Sequence, residues 1–188
     1  MRFQNYPYSL RSVRADGVNF IVTGLPATLV GGPFPTRLWP NWSLLAHQGF
    51  SHVVCLASTE PETRYRPDAG NFSWLAKVSL KSPGEILDAV CHPPNGRLFP
   101  VTPNALDELM AIARQVLSVS WARQGVCVHC EYGIERTSLL IGTILILTGA
   151  DPDETTRRFC IVHSEMGAAS PQLATDLRSL FWKVALSK

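Results

Sequence analysis

The stretch from Gly125 to Leu147 constrains this chain more than any other part of it. Gly125-Val126-Cys127-Val128-His129 reads as a short apolar strand, Cys130-Glu131-Tyr132-Gly133-Ile134-Glu135-Arg136-Thr137 as a tight loop, and Arg136 to Leu147 as an apolar helix that Gly149 can end. The most apolar run, Leu139 to Leu147, falls well short of the roughly 20 residues a membrane span needs, so a buried helix is expected. A strand that turns directly into a buried helix calls for a sheet with helices packed on it, which makes the fold class α/β.

The rest of the chain agrees with that class. Phe20-Ile21-Val22 reads as a strand, and Ala27 to Val30 as another, closed by a turn at Gly31-Gly32-Pro33. A short helix is expected from Trp42 to Gln48, then a buried strand at His52–Ala57 and a further one within Phe72–Leu80. Thr102-Pro103 suits a helix start, and Leu106, Leu109, Met110, Ala113, Val116 and Leu117 form one apolar stripe after it. Asp151-Pro152-Asp153-Glu154 has the form of a capping box. Ser170-Pro171 opens a last helix with Leu173, Leu177, Leu180, Phe181 and Val184 on one face. Strands alternating with helices predict helices on both sides of the sheet, and ligands in such sheets bind beyond the carboxyl ends of the strands.

With 188 residues, one domain is expected, with residues 1–19 as an N-terminal extension. Lys81 to Pro103 holds five prolines and two glycines without periodicity and reads as a long loop. Seventeen Lys and Arg against 15 Asp and Glu leave a net charge of +2, with no basic excess to suggest a nucleic-acid partner. Met1 to Tyr8 lacks the apolar run of an export leader, so a cytoplasmic location with reduced thiols is expected. Five cysteines cannot all pair within one chain. Cys127 and Cys160 read as core residues, Cys91 as part of the long loop.

The 130–137 loop is where chemistry is expected. Backbone N–H groups of a strand–loop–helix junction point inward, and the helix N-terminus adds its positive end, which suits an anion. A cysteine at the mouth of such a cradle is stabilised as thiolate, with His129 beside it as a further support. Arg136 can fork onto two phosphate oxygens; a cation at a helix N-terminus is otherwise poorly placed, which itself argues for an anionic ligand. The Thr137 hydroxyl can donate to the sulfur, and Gly133 gives the turn room for positive φ.

His129-Cys130, five intervening residues, Arg136 and Thr137 resemble the signature of the cysteine-based protein tyrosine phosphatases, and the length and helices resemble their small dual-specificity branch. The resemblance implies a mostly parallel sheet of about four or five strands flanked by helices. It also implies a two-step reaction through a phosphocysteine on Cys130, without metal or cofactor. Phosphate would be bound by the backbone of Glu131, Tyr132, Gly133, Ile134, Glu135 and Arg136, and by the Arg136 side chain. The substrate would be a phosphorylated protein or peptide carrying phosphotyrosine, or phosphoserine and phosphothreonine. The family's proton-donating aspartate is missing from Gly96–Thr102. Asp88 in the long loop is the first substitute, ahead of Glu135, with Glu85 and His92 behind; Asp107 reads as a solvated helix charge. An acid immediately before the arginine resembles the lipid-directed myotubularins, which keeps a phosphoinositide substrate open, although Glu131 and Glu135 make a highly anionic headgroup less attractive. Gln172 reads as a solvent-facing residue at a helix start, ahead of a resemblance to the water-placing glutamine of several relatives.

Other readings are a catalytically impaired phosphate-binding module, rhodanese-type sulfur transfer, and a redox or zinc site at Cys127-Val128-His129-Cys130. Strand alternation points Cys127 and Cys130 apart and weighs against the last. Cys55 reads as a buried core cysteine, with a reversible disulfide to Cys130 that shields the nucleophile as the alternative.

Overall fold

The computed structural model describes residues 8–15, 18–33, 45, 47–59, 72–91, 105–121 and 124–187. Six strands form one sheet: β1 (Ser9–Ala15), β2 (Val18–Thr23), β3 (Leu29–Pro33), β4 (Phe50–Cys55), β5 (Ser73–Lys77) and β6 (Gly125–Cys130). Among the described residues, five full helices accompany them: α1 (Pro83–Cys91), α2 (Ala105–Trp121), α3 (Glu135–Leu147), α4 (Pro152–Glu165) and α5 (Pro171–Leu186).

The strand order is β1-β2-β3-β6-β4-β5. β3, β6, β4 and β5 run parallel, while β1 and β2 add an antiparallel pair beside β3. The sheet is therefore larger and more mixed than the four or five mostly parallel strands expected. The reason lies in residues 1–19, which contain β1 and the start of β2 in place of a plain extension. β1 alternates weakly, with Leu10 against the core and Arg11 exposed, so its sequence carries little strand signal. It is tied to α4 by side chains: Arg158 donates to the Tyr8 carbonyl at 2.7 Å, and Ser12 bonds Glu165.

Parity along the strands sorts the core into two layers. Phe20, Val22, Leu29, Val54, Val126 and Val128 face one side, where residues from all five helices join them in the main core. Val30, Val53 and Cys127 face the other, against Leu45 and the half-buried Trp74. The five helices named above pack on one face, while helical Leu45 packs on the other, so described helical residues lie on both sides of the sheet. The helix forecast for Trp42–Gln48 lies mostly outside the described residues; Leu45 and His47 are helical.

Two further expectations change. Gly31-Gly32-Pro33 is not a turn but the end of β3, in register with Val128, His129 and Cys130. The long loop from Lys81 is a helix through Cys91, and residues 92–103 lie outside the described ones. Its start is a capping box: the Ser82 N–H donates to Glu85 Oε2 at 2.8 Å, and the Glu85 N–H donates to Ser82 Oγ at 3.3 Å. Asp151 and Ser170 cap α4 and α5 as anticipated, accepting from the N–H groups of Glu154 and Leu173.

α3 runs through the middle of the core, with every side chain from Thr137 to Ile146 buried. Gly142 marks its closest approach to α5, where a Cβ would lie 2.0 Å from Phe181 Cζ. Phe181 is fully buried against Phe159 and has no room to yield. Alanine gains about 1 kcal/mol over glycine in a helix, but overpacking a closed core costs about 1–3 kcal/mol or more, so the clash wins. Gly142→Ala is expected to lower the thermal midpoint by roughly 2–8 °C, measurable by calorimetry; an unchanged or higher Tm would show that α5 gives way freely.

Candidate active site

β6 lies in the middle of the sheet, and its carboxyl end delivers Cys130, only 4% exposed, to the sheet edge. The chain then turns through residues 131–134 into α3. Gly133 takes φ of 68°, which a side chain rarely adopts, and a Cβ there would sit 2.1 Å from the Gly32 carbonyl carbon and 2.2 Å from Pro33 N. The loop is thus pressed backbone to backbone onto β3. On the same strand, a Cβ on Gly31 would meet the Phe20 ring at 2.3 Å and the Thr137 methyl at 2.8 Å.

The first turn of α3 has no side-chain cap, and its N-cap position is Ile134. No N-cap side chain satisfies the N–H groups at that end, and the macrodipole adds partial positive charge. They open toward a cleft of about 590 Å³ walled by Cys130, Glu131, Tyr132, Ile134, Glu135 and Arg136 on the loop side. Ala57, Ser79, Ser170 and Leu173 line it from the neighbouring elements. Strand end, uncapped helix, cysteine and arginine therefore come together as the sequence implied. Tyr132 stands 77% exposed at the mouth, and Glu131 and Glu135 are exposed on the rim.

Several residues anticipated for this site have other surroundings. His129 points to the opposite face of the sheet, buried edge-on against Trp74 with ring centroids 6.3 Å apart. Burial pushes its pKa down to about 3, so it is a neutral imidazole and lends Cys130 no charge. Thr137 is fully buried, and its hydroxyl makes no hydrogen bond among the described residues, to the Cys130 sulfur included. The next residue, Ser138, shares a 2.8 Å hydrogen bond with Nε2 of His163 in the adjacent layer.

Asp88 is exposed on α1 and does not line the cleft, because the segment carrying it is helix and not a loop folded over the pocket. Glu85 is nearer in electrostatic terms. Hydrogen bonds from the Ser82 backbone and hydroxyl hold its carboxyl below the usual range, with Lys81 and Arg136 lowering it further. It is held as a carboxylate rather than poised to give a proton. Asp107 is exposed on α2, as expected. Gln172 donates to Asp176 at 2.8 Å within α5, and His92 lies outside the described residues.

The cysteines separate clearly. Cys127 packs on the face opposite Cys130, and burial raises its pKa far out of the reactive range. Cys55 is in register with His129, so alternation turns it to that same opposite face, away from Cys130. A direct 55–130 disulfide therefore needs a strand to reverse its parity. Cys160, expected in the core, is exposed on α4.

Asn19 was not singled out from the sequence. From β2 its side-chain amide donates to the carbonyl oxygens of Tyr132 and Gly133, both at 3.0 Å. A lone polar residue in an apolar strand was the available signal.

No protein-family model matches the sequence, and no curated protein matches it. Solved structures share its fold. P. aeruginosa TpbA aligns with a TM-score of 0.61 and 14% identity over 95% of this chain and 94% of that one; its structure in complex with phosphotyrosine aligns equally well. Human DUSP28 gives a TM-score of 0.57 at 17% identity, covering 94% of this chain and 97% of that chain. PTPMT1 in complex with PI(5)P gives 0.51 at 15%, covering 85% and 93%. The α/β fold with a mixed sheet flanked by helices is thus that of tyrosine and dual-specificity phosphatase structures. No helix among the described residues is long and apolar enough to cross a membrane.

The two buried histidines make stability depend on pH. His129 is lowered to about 3 and His163 to about 4, both by burial, from an ordinary 6.5. Between these values and 6.5 the unfolded chain binds more protons than the folded one, so stability falls as pH falls. From pH 7 to pH 5 each histidine is expected to remove about 2 kcal/mol. Urea midpoints at the two pH values check this, and His129→Gln should shrink the difference; equal midpoints in the wild type would contradict the burial of neutral imidazoles.

Proposed function

We propose that this chain is a cysteine-dependent phosphatase that hydrolyses phosphotyrosine, and also phosphoserine or phosphothreonine, in proteins through a phosphocysteine intermediate. One observation carries the reading: Cys130, at the end of β6, and Arg136, in the first turn of α3, wall the same cleft beside a helix N-terminus without a side-chain cap. A structural cysteine needs no such surroundings, whereas a phosphoryl group needs donors on its equatorial oxygens and a nucleophile in line.

The Cys130 thiolate attacks phosphorus, forming the S–P bond as the P–O bond to the leaving group breaks. The backbone N–H groups of 131–136 and the Arg136 guanidinium hold the three equatorial oxygens. The leaving oxygen takes its proton from Glu135, which replaces Asp88 in this role because Glu135 lines the cleft and Asp88 does not. Water then attacks the phosphocysteine, giving a proton back to the Glu135 carboxylate as its oxygen bonds phosphorus; the S–P bond breaks, phosphate departs, and the thiolate is restored. Thr137 is assigned as the donor that steadies this leaving group, a role that requires its buried hydroxyl, without a hydrogen bond in the present arrangement, to move within reach of the sulfur. Glu131 and Glu135 on the rim oppose a headgroup with several phosphates, which favours a phosphoprotein over a phosphoinositide.

Hydrolysis of p-nitrophenyl phosphate and of a phosphotyrosine peptide tests the reading. Cys130→Ser is expected to cut kcat at least about a thousandfold, and Arg136→Lys about 10²–10³-fold, since lysine keeps the charge but not the fork. A wild-type protein that binds phosphate yet turns over neither substrate would identify a binding module instead.

The proton donor has its own signature. Glu135→Gln is expected to lose the basic limb of the kcat–pH profile and about 10²-fold in kcat, while Asp88→Asn keeps both. The same limb missing in Asp88→Asn would reverse the assignment.

A further inference from the structure

The loop that carries Cys130 is held from outside by a residue that none of these steps uses. Asn19, half-buried in β2, donates its side-chain amide to the Tyr132 and Gly133 carbonyls at 3.0 Å each, across 113 and 114 residues of chain. An asparagine amide has two N–H groups, so both bonds are made at once. Asn19 does not line the cleft itself.

The consequence lies in the peptide geometry. In a planar trans peptide the carbonyl and the following N–H point in opposite directions. Drawing the Tyr132 and Gly133 carbonyls toward β2 therefore turns the N–H groups of Gly133 and Ile134 away from β2. Ile134 lies on the wall shared with Cys130 and Arg136. Gly133, with no side chain and φ of 68°, is the point of the loop where a peptide unit is freest to flip. A flip would offer an anion a carbonyl oxygen where an N–H belongs.

We infer that Asn19 is a positioning residue that locks two peptide units of the 130–136 loop with their N–H groups toward the phosphoryl site. This rests on the phosphatase reading above, and it assigns to β2 a part in transition-state binding without contact to substrate. Small misplacements of such donors are costly, because their worth depends on being preset where charge develops.

The test compares Asn19→Ala, Asn19→Ser and Asn19→Asp with the wild type. Aspartate keeps the shape but cannot donate when ionised and sets a carboxylate against two carbonyl oxygens; serine keeps one donor. Three quantities are read on each purified protein: kcat/KM for p-nitrophenyl phosphate, vanadate affinity by calorimetry, and Tm. The expected result is a loss of about tenfold or more in kcat/KM for alanine, larger for aspartate and smaller for serine. Vanadate affinity should weaken in parallel, with Tm within a few degrees of the wild type. The inference is overturned if the variants keep wild-type kcat/KM and vanadate affinity. It is also overturned if activity falls only with the folded fraction while the folded protein binds vanadate normally. Should the wild type hydrolyse nothing yet the variants still bind vanadate more weakly, the phosphatase reading fails and the positioning role stands.

Discussion

The backbone of the loop after Cys130 rests directly on the backbone of β3, with space at Gly133 for hydrogen and nothing larger between them. A Cβ on Gly133 would fall 2.1–2.2 Å from atoms of Gly32 and Pro33. So close an approach is possible only because Gly133 has no Cβ to meet Gly32 and Pro33, and it fixes how far the loop stands from the sheet. The other dispositions follow from it. β3 must neighbour β6, its register must bring Gly32 and Pro33 level with His129 and Cys130, and Gly31 must leave room for the Phe20 ring and the Thr137 methyl. The small residues of β3 are thus part of the site although none of them reacts.

The electrostatics of the cleft come from dipoles more than from charge. The adjoining imidazole is buried and neutral, and the rim carries two carboxylates. Arg136 is the single cation among the residues that line the cleft as described. Attraction for an anion therefore depends on the direction of a few N–H groups at the start of α3, and such groups act only over short range and only when aimed. A site of this kind is discriminating at close quarters and exerts little pull at a distance, in keeping with a net charge of only +2.

How much of this could be read beforehand differs by element. The strand–loop–helix of 125–147 was plain because its apolar period changes abruptly at Cys130, and the capped starts of α4 and α5 were plain because Asp151 and Ser170 precede prolines. Gly31-Gly32-Pro33 was misjudged because glycine and proline usually mark turns, whereas here they thin a strand so that another backbone can approach. β1 was missed because its alternation is weak and its bonds reach across the chain to α4. α1 was hidden by prolines at its borders, although Ser82 and Glu85 stood at capping spacing. Asp88 was favoured only while its segment was taken for a mobile loop. The hydrogen bonds of Asn19 had only a polar residue in an apolar strand to announce them, since they reach over more than a hundred residues.

The sheet has one more property, rooted in the order in which its strands are made. β6 is the last of the six in sequence yet sits between β3 and β4. A growing chain that has completed five strands owns two separate pieces of sheet, each presenting an unpaired inner edge to its surroundings. Those edges stay open until residues 125–130 emerge and slot between them. The nascent protein is therefore most vulnerable to wrong pairing just before it becomes whole. The step that closes the gap is also the one that sets Cys130 at the cleft, so a chain cannot complete that wall without having finished its sheet.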